Sequence, residues 1–220
     1  MTRVVALVPM RHSSERVPGK NYRHLGGRPL YAHVITTLLE SGVVDEVVVD
    51  TDSPTVTEGM AAAFPQVRVL ERPEHLRAGE VPMNDVIGHD ISQVEADLYL
   101  QTHTTNPLLR PETVRAAVEA FLASPEHDSL FTVTPLHTRL WTEHGEPINH
   151  DPKVLLRTQD LPPVYEENSN MYLFSGDLLR RTGSRIGSNP LLYPVDAEEA
   201  WDIDVELDWT VVETLLARRG

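Results

Sequence analysis

Residues 4–8, VVALV, constrain the fold of this chain more than any other stretch. An unbroken run of β-branched and aliphatic side chains suits a strand covered on both faces, and such strands belong to parallel sheets with helices above and below. The pattern that follows repeats the theme. Pro29 stands where a helix opens, and Leu30, Val34, Ile35, Leu38 and Leu39 follow at three- and four-residue spacing until Gly42. Residues 46–50 (EVVVD) read as a second strand, 54–64 as a short helix and 67–70 as a brief strand. Residues 82–95 read as a helix and 97–101 (DLYLQ) as a further strand. Pro111 opens a helix with Val114, Ala117, Val118, Phe121 and Leu122 on one face, and 130–134 is the next strand. Strands alternating with helices in this way imply βαβ units and a mostly parallel sheet.

After this the period is lost. Residues 135–168 are rich in Pro, His, Asn and charged side chains, and read as an irregular lobe within one domain spanning 1–220. Strand character returns at 171–175, and a last helix places Leu207, Val211, Leu215 and Leu216 on one face. Trp141, Trp201 and Trp209 are expected to be packing residues, and no histidine pair has metal-binding spacing.

In an open parallel sheet, ligands sit beyond the carboxyl ends of the strands. There the sequence places RHSSERVPGKN (11–21), whose Arg11, Ser13, Ser14, Arg16, Gly19 and Lys20 supply guanidinium forks, hydroxyls and backbone N–H groups suited to phosphate. Neither GxxxxGK[ST] nor GxGxxG occurs, so a P-loop and a dinucleotide fingerprint are both unsupported. A basic loop alone is more often plain solvated surface. The charge distribution adds to the signal: five cations stand against Glu15 between Arg11 and Arg28, and seven acids without a base lie between Asp196 and Asp208. The net charge of −14 argues against nucleic acid as a partner. No apolar run reaches the roughly 20 residues of a membrane span, and no signal peptide is recognisable. Cysteine is absent, which excludes disulfides and thiolate chemistry; together these features point to the cytoplasm.

Several segments resemble, in order, the motifs of the acylneuraminate and Kdo cytidylyltransferases, the CMP-sialic acid synthetase family. Arg11, Ser14, Pro18, Lys20 and Asn21 match its N-terminal signature in type and spacing. VDTDS (49–53), LQTHTTNPLLR (100–110), RTQDLPPVYEENSNMYLF (157–174) and WDIDVELD (201–208) are similar to its later motifs. The resemblance implies a three-layer α/β/α, Rossmann-like nucleotidyltransferase fold with a mostly parallel central sheet and a small dimerisation lobe at about 135–190. It implies CTP and a 2-keto-3-deoxy sugar acid as substrates, Mg2+ as cofactor and a homodimer. Arg11, Ser13, Ser14, Lys20, Asn21 and Asp52 would then bind nucleotide, with Arg11 and Lys20 also catalytic. Asp202 and Asp204 would be catalytic metal ligands; by chemistry alone, two carboxylates two residues apart on extended chain project to the same side. Gln101, His103, Arg157, Asn168 and Tyr172 would meet the sugar acid. The sequence also departs from the pattern. Glu15 replaces a usual lysine, Ser13 a usual glycine, Pro82 and Met83 replace small hydroxyl residues, and the 101–110 loop is longer. Another acceptor or another nucleotide therefore stays open, as does a nucleotide-binding protein without catalysis.

Overall fold

The computed structural model describes residues 2–219. Its strands are β1 (Val4–Met10), β2 (His24–Leu25), β3 (Arg28–Pro29), β4 (Glu46–Thr51), β5 (Arg68–Glu71), β6 (Leu98–Thr102), β7 (Ser129–Leu136), β8 (Val164–Phe174) and β9 (Pro190–Pro194). Its α-helices are α1 (Leu30–Glu40), α2 (Pro54–Ala63), α3 (Met83–Gln93), α4 (Pro111–Leu122), α5 (Gly176–Thr182) and α6 (Glu206–Arg219). Strands β2 and β3 form a separate small ribbon, and the other seven make one sheet in the order β5-β4-β1-β6-β8-β7-β9. Only β8 runs against its neighbours β6 and β7, so the sheet is mostly parallel.

Every residue of β1 is buried, and its side chains divide by parity between two cores. Val4, Ala6, Val8 and Met10 meet α1, α2 and α4 on one face. Val5 and Leu7 meet Ile87 and Ile91 of α3 and Leu178 and Leu179 of α5 on the other. This is the three-layer, Rossmann-like arrangement, and it explains why VVALV carries no polar alternation. A third, smaller core lies beyond the sheet, where α6 packs Trp209 and Val212 against Val17, Leu25, Leu30, Leu108 and Ile203.

The early elements match the sequence reading closely, and the later ones differ. β8 begins at Val164, inside the stretch read as irregular, and pairs with β7 through a register shift between Phe131 and Val133. That bulge breaks the period-two pattern that would have marked the strand. The helix α5 and the strand β9 were not anticipated, because each is short and β9 is bounded by prolines. On α6 the inward face is Trp209 and Val212, with Leu215 and Leu216 packed partly buried beside them as expected, whereas Leu207 is 71% exposed. Trp209 is a packing residue; Trp141 and Trp201 lie largely in the open, against expectation. Between β7 and β8 the chain is mostly exposed and carries a lone bridge, Trp141 to Pro147.

Leu7 is fully buried at the centre of this arrangement. Leu7→Ala should lower the unfolding free energy by about 2–5 kcal/mol in urea titration, the usual cost of such a cavity. A loss well under about 1 kcal/mol would contradict a close-packed central strand.

Candidate active site

The chain leaves β1 for β4 and β5 on one side, then crosses back to place β6 on the other. Such a switch of direction opens a crevice at the carboxyl ends of the central strands. A cavity of about 460 Å³ lies there, lined by the 11–16 loop, Lys20, Asn21, Arg72, Gly79, Glu80, Met83 and residues 103–105.

The loop after β1 owes its shape to three ties. Val17 is buried in the third core, anchoring the loop's middle. Gly19 has φ 67, and a Cβ there would meet the Tyr22 ring at 2.9 Å, so only glycine lets the chain turn into the helical turn Lys20–Tyr22. Asn21 is buried; its Nδ2 donates to the Arg11 carbonyl at 2.7 Å, and its Oδ1 accepts from Thr104 Oγ1 at 2.6 Å. That asparagine clasps both ends of the loop to the segment after β6. Its side chain is thus spent on shape. Beside it, the His12 backbone N–H donates to Asp52 Oδ1 at 2.7 Å, and the His12 ring pairs with Ser53 Oγ at 2.8 Å.

The acidic segment comes to this loop from the far end of the chain. Ile203 is buried in the third core and its N–H donates to the Thr105 carbonyl at 2.9 Å, so Asp202 and Asp204 flank an inward anchor. Lys20 Nζ donates to the Ile203 carbonyl at 2.8 Å, and Arg16 Nη2 pairs with Asp204 Oδ1 at 2.7 Å. Asp208 accepts from the backbone N–H groups of Asp204 and Val205 at 2.8 and 2.9 Å and holds the segment at the head of α6. Burial lowers the pKa of Lys20, opposed by Asp202 and Asp204. Burial raises that of Asp202, with Asp204 adding and Lys20 opposing. The cations and acids that the sequence separates by some 180 residues are one cluster in space.

The remaining expected residues fall in different places. Ser13, Ser14 and His103 line the cavity with Arg11 and Lys20. Asp52 does not; it borders a separate hollow beside α2. Gln101 is fully buried, and its side chain is covered by His103 and by Arg185, whose guanidinium donates to Gln101 Oε1. Arg185 also lies 3.5 Å over the Tyr172 ring. Tyr172 is buried and donates its hydroxyl to Glu167. His103 is kept neutral, its pKa pushed down to about 4 by burial first and then by Arg185 and Lys20. Asn168 donates to Thr134 Oγ1 at 3.0 Å and lines a second hollow with Glu166, Glu167, Asp202, Asp204 and Asp208. Next to it Ser169 holds φ 59, and its hydroxyl lies 3.2 Å from that of Tyr172, whose single proton is given to Glu167. Arg157 stands apart from both hollows, exposed and paired with Asp160 at 2.6 Å. Within one copy of the chain it touches none of the other expected residues.

Two cationic residues were missed. Arg72 follows β5, and the rule about carboxyl ends of strands would have found it. Arg185 lies between α5 and β9, neither of which was anticipated, so nothing in the sequence marked it.

An α/β sheet whose switch-point crevice gathers cations, one of them paired with a nearby carboxylate segment, suits a phosphate-handling class of protein. Residues 5–202 match the Cytidylyltransferase family, and the chain belongs to that family. It is 29% identical over 99% of its length to the N-acylneuraminate cytidylyltransferase A of Danio rerio, of which it covers 51%. It is 28% identical over 97% of its length to the CMP-N,N'-diacetyllegionaminic acid synthase of Legionella pneumophila subsp. pneumophila, of which it covers 96%. The chain thus spans about half of the fish relative and nearly all of the bacterial one. Its fold is shared, at a TM-score of 0.75, 18% identity and complete coverage of both chains, with a CMP:2-keto-3-deoxy-manno-octonic acid synthetase solved with CTP.

The Arg16–Asp204 pair is open to solvent, with side chains 62% and 47% exposed. Such pairs contribute little, so Asp204→Asn should change the unfolding free energy by no more than about 0.5 kcal/mol. A loss several times larger in denaturant titration would give this pair a structural role that its exposure does not support.

Proposed function

We propose that the chain transfers CMP from CTP to a 2-keto-3-deoxy sugar acid, a sialic acid-like nonulosonate or a related acid, and releases pyrophosphate. The observation that carries this reading is that Arg11, Arg16 and Lys20 line the switch-point cavity, while Arg16 pairs with Asp204 and Lys20 reaches the Ile203 carbonyl between Asp202 and Asp204, which line the second hollow. The names and coverage of the relatives agree with it.

In this reading the acceptor's hydroxyl attacks the α-phosphorus in line, and the bond to the β-phosphate oxygen breaks. Catalysis of this kind is mostly positioning and charge neutralisation. Arg11 and Lys20 hold the phosphates, and the Asn21 clasp keeps the loop in the shape that presents them. Half-buried, Lys20 meets phosphate in a medium of lower effective dielectric than water, where its charge acts more strongly. His103, neutral at physiological pH, offers a hydrogen bond without a competing charge.

The residues present fit a magnesium ion. Asp202 Oδ1 is buried without a hydrogen-bond partner, and Asp204 stands beside it on the same segment. Two carboxylates and no third protein ligand is a donor set that suits Mg2+, which takes substrate phosphates and waters as its other ligands. Asp202 and Asp204 would hold it, and when bound it would neutralise charge on the phosphates. The apolar side chains exposed between β7 and β8, among them Trp141, Ile148, Leu155 and Leu156, support a homodimer contact through this lobe. No helix among the described residues is long and apolar enough to cross a membrane, which agrees with a cytoplasmic enzyme.

A second reading keeps the chemistry and changes a partner. Glu15 and Met83 both line the cavity, and Arg185 covers Gln101, so the nucleotide or the acceptor can differ from that of the named relatives.

The test is pyrophosphate release with magnesium, each nucleoside triphosphate and a panel of nonulosonic and octulosonic acids. Release with CTP and a sugar acid is expected; release with another nucleotide only would favour the second reading. Asp204→Asn should lower kcat by at least about a hundredfold, the scale of removing one transition-state stabiliser. Turnover equal to wild type in that variant would remove the metal assignment.

A further inference from the structure

Behind the cavity lies a buried charge cluster that the proposed reaction does not use. Asp50 of β4 and Asp90 of α3 are 1% and 0% exposed, and Arg72, which follows β5, is 3% exposed. Arg72 Nε donates to Asp50 Oδ1, and its Nη2 donates to the Asp50 carbonyl at 3.4 Å. Asp50 Oδ2 and both Asp90 oxygens are buried with no hydrogen-bond partner. One ligand atom each from Asp50, His89 and Asp90 lies within 4.8 Å of the other two.

Two carboxylates so close in a dry interior repel, and a single guanidinium compensates only one of them. Two bare carboxylates also offer only acceptors to one another. One proton solves both problems: it removes a charge and turns an acceptor–acceptor contact into a hydrogen bond. We infer that Asp50 and Asp90 share one proton, and that Asp90 thereby acts as a positioning residue that keeps the Asp50–Arg72 cluster from turning a net negative charge towards the nucleotide in the cavity.

Arg72 lines that cavity, and its protein hydrogen bonds use Nε and Nη2, which leaves Nη1 without a protein acceptor among the described residues. The charged groups facing Asp90 are Asp50 on β4, Arg72 after β5 and half-buried His89 on α3 itself. On the outer side of α3, His89 shares a hollow with His75 and with Arg180 of α5. The Asp90 carboxyl is pushed up to about 8, first by burial and then by the neighbouring charge of Asp50, with Arg72 opposing. A divalent cation would meet the same oxygens, but it would sit beside a guanidinium already fixed on Asp50 Oδ1.

The direction of the pH effect follows. The protonated pair is stable below the ordinary carboxylate range, and its stabilisation is lost as pH rises through about 8. Above that, the pair carries a second negative charge, which leaves the cluster with Arg72 net negative and weakens the hold on a polyphosphate. The second half of the inference rests on the nucleotide reading of the cavity; the first half does not.

The experiment uses the full chain. Infrared spectra should show a protonated-carboxyl C=O band at pH 7 that fades towards pH 9 and is missing in Asp90→Asn. The CTP dissociation constant should weaken between pH 7.5 and 9 by about three- to tenfold more in wild type than in Asp90→Asn, which keeps the other charged groups of the cavity. Should Asp90→Asn fail to fold, Asp50→Asn also removes the pair and must abolish the band. Absence of the band at pH 7, or metal binding to the apo protein lost in Asp90→Asn, overturns the shared proton. Equal pH dependence in the two proteins overturns the role of Arg72. If CTP does not bind at all, the nucleotide reading fails together with that role, while the infrared band still decides the shared proton.

Discussion

Burial of β1 on both faces leaves the centre of this sheet no room for polar chemistry. Its even and odd residues are committed to separate cores under α1, α2 and α4 and under α3 and α5. Polar and charged groups are therefore pushed towards the strand ends, where some line the cavity and others, such as Asp50 and Gln101, stay buried. Because the chain crosses from β5 back to β6, the carboxyl ends of β1 and β6 part there, and that gap is the cavity. The loop at 11–21 and the segment at 202–208 are then brought together by small apolar anchors. Val17 and Ile203 sit in one core with Trp209, so α6 serves mainly to fasten acid to base across the site.

Much of this was legible because periodicity is local. The β1 run, the spacing of α1 and the Pro-led α4 each stand in a short window of sequence, and the structure places them within a residue or two. The signs of the two charged segments were legible as well, though their meeting rested on resemblance. What could not be read depends on distant partners. The bulge between β7 and β8 erases the alternation of a long strand, and β9 exists only because β7 supplies its hydrogen bonds. Arg185 follows from that region and stayed hidden with it. The exposed position of Leu207 has the same cause: helical spacing alone cannot say which face Ile203 and Leu25 will cover.

The electrostatics of the site come in two tiers. Nearest the cavity, Arg16 pairs with Asp204 and Lys20 lies near Asp202 and Asp204, an open cluster that solvent screens in part. Behind it, Asp50, Asp90 and Arg72 are dry, and their charges act at longer range. Glu15 belongs to the first tier, and its negative charge, beside Arg11 near Gly79, makes this side of the cavity less positive. The arrangement argues for a reaction class more firmly than for a particular acceptor, since the groups around Gln101 are covered by Arg185 and His103.

The central claim is that the 11–21 loop and the 202–204 segment enclose a nucleotide triphosphate. A crystal structure of the full chain with CTP and magnesium tests it most directly. Phosphate oxygens are expected on Arg11 and Lys20, and magnesium would be held by Asp202 and Asp204. A nucleotide bound elsewhere, with this cavity unfilled at saturating CTP, would contradict it.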